Sequence, residues 1–242
     1  MNAKDRIILA LDVDTKKEAL ALVRELHDYV GVFKIGMQLY NGYGPDIVKA
    51  ISDQGARVFV DLKFHDIPNT VAATSKIMTG LGVAMFNVHA SGGSKMMQKA
   101  AEAAKAEAER LGISMPLLLA VTILTSLTRQ DLEYELGILG MEVSHMVSKW
   151  ALMAQNSGIQ GIVCSPQEIR AVRQTCGPDF RIVTPGIRPS WASADDQQRI
   201  TTPRAALLNG ADYIVIGRPI TKAANRCEAA EKIIAEMEDA HA

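Results

Sequence analysis

Within Asp61-Leu62-Lys63-Phe64-His65-Asp66 a lysine stands between two carboxylates, where an apolar strand gives way to a helix opening near Pro68. Side chains alternate faces along a strand, so Phe59, Asp61 and Lys63 project one way and Val58, Val60 and Leu62 the other. Ion pairs at such a site seldom add net stability, because desolvation offsets the Coulombic gain, so three charges within six residues point to chemistry. A lysine held among acids can stabilise negative charge developing on a substrate and then deliver a proton to it. Spacing alone leaves a plainer reading open, in which Asp66 caps the helix and Lys63 is solvated in a loop.

The elements that must position these groups follow from the pattern of apolar runs. Runs rich in Ile and Val, at 6–12, 32–36, 57–63, 85–89, 117–122, 161–164, 181–184 and 213–217, alternate with helical patterns. Most are near-continuous hydrophobics, as in strands buried on both faces. Thr15-Lys16-Lys17-Glu18 reads as a capping box, Gly44-Pro45 and Ser165-Pro166 place proline near a first turn, and Gly55, Gly112, Gly158 and Gly210 follow helix ends. Eight βα units in 242 residues, with no Pro/Gly/Ser-rich linker between any two, predict an α/β chain forming one (β/α)8 TIM barrel over residues 1–242. Two long irregular stretches, 125–141 (with a short helix) and 186–201, are expected to be functional loops.

Reactive groups of such a barrel sit where strands end. Asp12 ends the first run, Lys34 lies in the second, Asp61 and Lys63 close the third with Asp66 just beyond, and Thr125, Arg188 and Gly217-Arg218 follow the fifth, seventh and eighth. Acids and lysines therefore alternate around one rim. His89, ending the fourth run, reads as a core imidazole and is given no role. After the eighth strand, Gly217 offers a backbone an anion can approach and Arg218 a guanidinium that can fork onto phosphate; Arg188 and Gln197 on the seventh loop could fold over the same anion.

Composition narrows the partners. Net charge is −1, from 26 basic and 27 acidic residues, with no dense basic cluster, which argues against nucleic acid or an anionic membrane surface. No apolar run approaches the roughly 20 residues of a membrane span, and the N-terminal run 7–11 is too short for a secretory leader. Cys164, Cys176 and Cys227 lack metal-ligand or CxxC spacing, so a cytoplasmic protein without disulfides is expected. Leu11-Asp12-Val13-Asp14 follows the first strand in place of a glycine-rich fingerprint, so a nicotinamide or flavin cofactor has no support.

Taken together, Leu9-Ala10-Leu11-Asp12, Phe33-Lys34-Ile35-Gly36, Asp61-x-Lys63-x-x-Asp66-Ile67-Pro68-Asn69-Thr70, Val121-Thr122-Ile123-Leu124-Thr125-Ser126, Thr184-Pro185-Gly186-Ile187-Arg188-Pro189 and Val215-Ile216-Gly217-Arg218-Pro219 resemble the orotidine 5′-phosphate decarboxylase family across essentially the whole chain. The resemblance implies cofactor-free decarboxylation of orotidine 5′-phosphate to UMP in pyrimidine synthesis, with Lys63 as proton donor and Asp61 and Asp66 completing the charged array. It further implies ribose contacts from Asp12 and Lys34, a pyrimidine contact from Thr125, and phosphate contacts from Arg188, Gln197, Gly217 and Arg218. A homodimer follows from the same likeness, Asp66 and Thr70 entering the neighbouring subunit's site. Two rivals are a Mg²⁺-dependent sugar-phosphate lyase of the hexulose-phosphate kind, against which Lys34 argues by repelling a metal, and a barrel that binds a phosphorylated ligand without turning it over.

Overall fold

A computed structural model describes residues 1–192 and 201–239. Eight parallel strands close on themselves in chain order, β1 pairing with both β2 and β8. They are β1 (Ile7–Ala10), β2 (Val32–Gly36), β3 (Val58–Phe64), β4 (Met85–His89), β5 (Leu117–Val121), β6 (Gly161–Val163), β7 (Arg181–Thr184) and β8 (Tyr213–Ile216). The (β/α)8 barrel expected from the apolar runs is thus the fold. Each strand begins and ends within two residues of the run that predicted it, and β3 alone extends past its run, by one residue, to Phe64.

Period-two alternation divides the apolar side chains between two cores. Ile8, Val32, Phe59, Met85, Leu119, Val183 and Tyr213 fill the barrel, whereas their neighbours Ile7, Leu9, Phe33, Val58, Val60, Phe86 and Leu118 pack outward beneath the helices. The helices begin and end where local chemistry dictates. At Lys16–Leu26 the capping box forms as read: Thr15 Oγ1 accepts from the Glu18 N–H at 3.2 Å and Glu18 Oε2 from the Thr15 N–H at 3.1 Å. Gly112 stops helix Gly93–Leu111 with a left-handed φ of 65°, which a β-carbon would penalise. The short helix expected in 125–141 is Arg129–Tyr134, opened by a second capping box from Thr128 and Asp131. Among the described residues no helix is long and apolar enough to cross a membrane.

At the amino-terminal end of the barrel Asp212 ties three elements together. Its carboxylate accepts from Arg173 Nη2 at 2.6 Å, Arg181 Nη1 at 2.9 Å and the Ile182 N–H at 2.9 Å. Arg6 adds bonds to the carbonyls of Ala211 and Asp212. Charge at this end serves the closure of the barrel, which leaves the opposite end for chemistry.

Candidate active site

A cavity of about 290 Å³ opens at the carboxyl-terminal mouth, near the lower bound of small-molecule sites, about 300 Å³. Asp12, Lys34, Asp61 and Lys63 line one side of it, Arg188, Gly217 and Arg218 another, and Val121, Ile123 and Leu124 give an apolar wall that ends at Thr125.

The charged side is one continuous chain. Lys34 Nζ lies 3.4 Å from Asp12 Oδ1 and 3.5 Å from Asp61 Oδ2, and Lys63 Nζ donates to Asp61 Oδ1 at 2.8 Å. The middle of this chain is the part most removed from water: the side chains of Lys34 and Asp61 are 11% and 15% exposed, against 69% for Asp12. Burial alone would push the Asp61 carboxyl up. The charges of Lys34 and Lys63, with hydrogen bonds from Lys63 and Asn87, outweigh it and hold the group below the usual carboxylate range.

Local backbone geometry at the end of β3 explains how Lys63 reaches Asp61. Pairing with β2 continues to Gly36↔Asp61, but pairing with β4 jumps from Val60↔Phe86 to Phe64↔Val88, so four steps along β3 match two along β4. Lys63 takes up the excess with φ 54°, and it is the one non-glycine residue with positive φ among those described. Such a conformation costs a residue bearing a β-carbon about 1–2 kcal/mol and is held only by its surroundings. Sequence reading ended the strand at Lys63; the ladder instead resumes at Phe64, whose ring packs against Phe86.

Asn87 supplies the surroundings. Fully buried on β4, it accepts from the Lys63 N–H through Oδ1 at 2.8 Å and donates through Nδ2 to Asp61 Oδ1 at 2.7 Å. Sequence reading gives this residue no role. The available signal was an amide at an inward-facing position between Met85 and His89, flanked directly by Phe86 and Val88. Beyond it, His89 stacks on His65 with ring centroids 5.5 Å apart and meets the edge of Trp150 at 6.4 Å. Burial, then the neighbouring His65 and Lys63, push the His89 imidazole down, so it is neutral at physiological pH.

At the β7 and β8 ends, the chain leaving β7 doubles back so that the Arg188 N–H donates to the Thr201 carbonyl at 2.9 Å and Ile187 bridges Thr201. This return buries Arg188, whose Nη1 also donates to the Ile187 carbonyl at 3.0 Å. Gly217 precedes the short helix Arg218–Thr221. A β-carbon there would make only ordinary contact with Ala10, at 3.4 Å, so the protein itself has room for one; what it would occupy is part of the cavity.

The structure thus gathers Asp12, Lys34, Asp61, Lys63, Thr125, Arg188, Gly217 and Arg218 around one cavity. It does not bring Asp66 and Thr70 there: both are exposed. Nor is Asp66 a helix cap, since Ile67 holds the cap position of Pro68–Gly80 and the Asp66 carboxylate accepts from the Ile67 N–H at 2.6 Å. Gln197 lies outside the described residues.

Comparison with known proteins gives consistent matches over the chain. The sequence model of the orotidine 5′-phosphate decarboxylase / HUMPS family matches residues 5–233. The orotidine 5′-phosphate decarboxylase of Syntrophomonas wolfei subsp. wolfei is 59% identical over 99% of this chain and 100% of its own length. That of Moorella thermoacetica is 50% identical over 98% of this chain and 94% of its own. Among solved structures, the orotidine 5′-phosphate decarboxylase of Lactobacillus acidophilus superposes with a TM-score of 0.85 at 38% identity, covering 96% of this chain and 98% of that one.

Proposed function

Because the chain belongs to the orotidine 5′-phosphate decarboxylase / HUMPS family, we propose that its cavity converts orotidine 5′-phosphate to UMP and CO2, the closing step of UMP synthesis. The observation that carries this reading is the unbroken series Asp12, Lys34, Asp61, Lys63, sharing one cavity with two arginines.

Loss of CO2 from C6 of the orotate ring leaves an electron pair in the ring plane, where the π-system cannot absorb it. The pair must be stabilised from outside. In our assignment the Lys63 ammonium lies beside C6, stabilises the developing carbanion and then protonates it, combining electrostatic and general-acid catalysis. Asp61, ionised and buried, faces the substrate carboxylate; their repulsion fades as CO2 departs. Asp12 and Lys34 take the ribose, Thr125 the pyrimidine edge, and Arg188, Gln197, Gly217 and Arg218 the phosphate.

Enzymes lower barriers by up to about 23 kcal/mol in most reactions, whereas one well-placed donor supplies about 3–4 kcal/mol. Binding energy from the remote phosphate makes up part of the difference by holding the substrate against the charged array.

We further assign Asp66 and Thr70 to the neighbouring site of a homodimer. Their exposure, just beyond Lys63 and outside their own chain's cavity, supports this. The whole chain is taken as one catalytic domain, working in the cytoplasm, in keeping with its three free cysteines. The Mg²⁺-dependent lyase reading is disfavoured by a specific contact: the Lys34 ammonium already fills the space between the Asp12 and Asp61 carboxylates.

The direct test is spectrophotometric loss of orotidine 5′-phosphate absorbance with purified protein and with Lys63→Ala. Wild type should turn over without added metal, and the folded variant should not. A folded Lys63→Ala protein that retains activity overturns the assignment.

A further inference from the structure

We infer that Asn87 is a positioning residue for the decarboxylation: its amide fixes both ends of Lys63, the backbone directly and the ammonium through Asp61. This rests on the decarboxylase reading above.

Three hydrogen bonds close a ring. The Lys63 N–H donates to Asn87 Oδ1, Asn87 Nδ2 donates to Asp61 Oδ1, and Lys63 Nζ donates to that same oxygen, at 2.8, 2.7 and 2.8 Å. Orientation of the amide is dictated by its partners, since a backbone N–H requires the oxygen and an ionised carboxylate requires the nitrogen. The bulge removes Lys63 from the β3–β4 ladder, and Asn87 takes over the N–H that the ladder no longer pairs. The left-handed backbone of Lys63, costly for any residue bearing a β-carbon, is thereby tied to the carboxylate that holds its side chain.

No other side chain of similar size provides this. Leucine matches the branched shape and the number of side-chain heavy atoms and makes neither bond. Aspartate keeps the acceptor for the Lys63 N–H but sets a second carboxylate against Asp61. Asn87 is itself fully buried and does not line the cavity, so it has no direct hold on the substrate.

Asp61 is faced by Lys34 from β2, Lys63 from its own strand and Asn87 from β4. Asp12 stands beyond Lys34, and His89 and His65 beyond Lys63. Withdrawal of the Asn87 donor leaves burial less opposed, so the Asp61 carboxyl should titrate at higher pH in the variants than in wild type.

Asn87→Leu and Asn87→Asp, each checked for fold by near-UV circular dichroism, are the variants to compare. The expected result is a fall in kcat of about a hundredfold or more, the scale of a small misplacement of a catalytic group. KM and the dissociation constant of UMP should change by less than about threefold, as expected when ground-state contacts are untouched. The acid limb of the kcat profile should move to higher pH, matched by ¹³C NMR titration of the Asp61 carboxyl. UMP affinity falling in step with kcat, or an unmoved Asp61 titration, overturns the proposal. Wild-type protein inactive on orotidine 5′-phosphate overturns the decarboxylase reading instead. The NMR titration requires no turnover and so separates the two failures.

Discussion

Replacing Lys34 with methionine keeps most of the stem and removes the charge from the centre of the array. Its ammonium is 3.5 Å from Asp61 Oδ2, and at an effective dielectric of about 20 that separation corresponds to roughly 5 kcal/mol of gross attraction. Part of this offsets the desolvation of two groups whose side chains are only 11% and 15% exposed. Asp61 also keeps Lys63 and Asn87 as partners. A net loss of about 3 kcal/mol in folding stability at neutral pH remains, the low end of the cost of breaking a buried pair.

The pH dependence identifies the cause. The Asp61 carboxyl is held below its ordinary value in the folded protein, so its contribution to stability is fully present above that ordinary value, about 4. It is lost as pH falls through the depressed folded-state value. Lys34→Met weakens the depression, so the stability gap between variant and wild type should be widest at neutral pH and should narrow below about pH 4. Urea unfolding at neutral and acid pH measures it. An equal gap at both would mean that Lys34 acts through packing of its stem and not through its charge.

Arg218→Ala should lower kcat/KM on orotidine 5′-phosphate by about 10²–10³, the range for truncating one partner of a desolvated charge pair, while leaving the slow reaction of the phosphate-free nucleoside almost unchanged; equal losses reject the phosphate role. Asp212→Ala, at the opposite end of the barrel, should cost about 3 kcal/mol in urea unfolding and leave the kcat of the folded fraction within about twofold; a large kcat loss would show that the two ends are not independent. Mixing inactive Lys63→Ala with inactive Asp66→Ala protein should restore activity in heterodimers that contain one intact site. No recovery after subunit exchange verified by native mass spectrometry would place Asp66 in its own chain's chemistry.

The fold was legible because each βα unit declares itself locally. An apolar run, a capping box at Thr15 and a glycine at Gly112 need no distant partner to be read. Asp61 and Lys63 could likewise be assigned to one side of β3 by counting residues. The shape of their meeting could not, because the bulge at Lys63 depends on an amide 24 residues away. Strand alternation predicts that two residues share a face; it does not predict a left-handed φ between them.

Register is the other quantity hidden from the sequence, and it explains why lysine and aspartate alternate on this rim. Lys34 is level with Ala10 on β1 and Phe59 on β3, all three facing into the barrel. Asp12 and Asp61 follow Ala10 and Phe59 by two residues, one inward step higher on each neighbouring strand, a rise of about 6.6 Å. A long side chain is needed to climb that step from below, and short ones suffice at the top. Lys34 therefore reaches up between the two carboxylates, 3.4 and 3.5 Å from them, with its stem buried and its charge delivered at the floor of the cavity. Exchanging the types would fail on geometry even with the charge balance kept: an aspartate at position 34 would stop a layer short, and lysines at 12 and 61 would overshoot into the space the substrate must occupy.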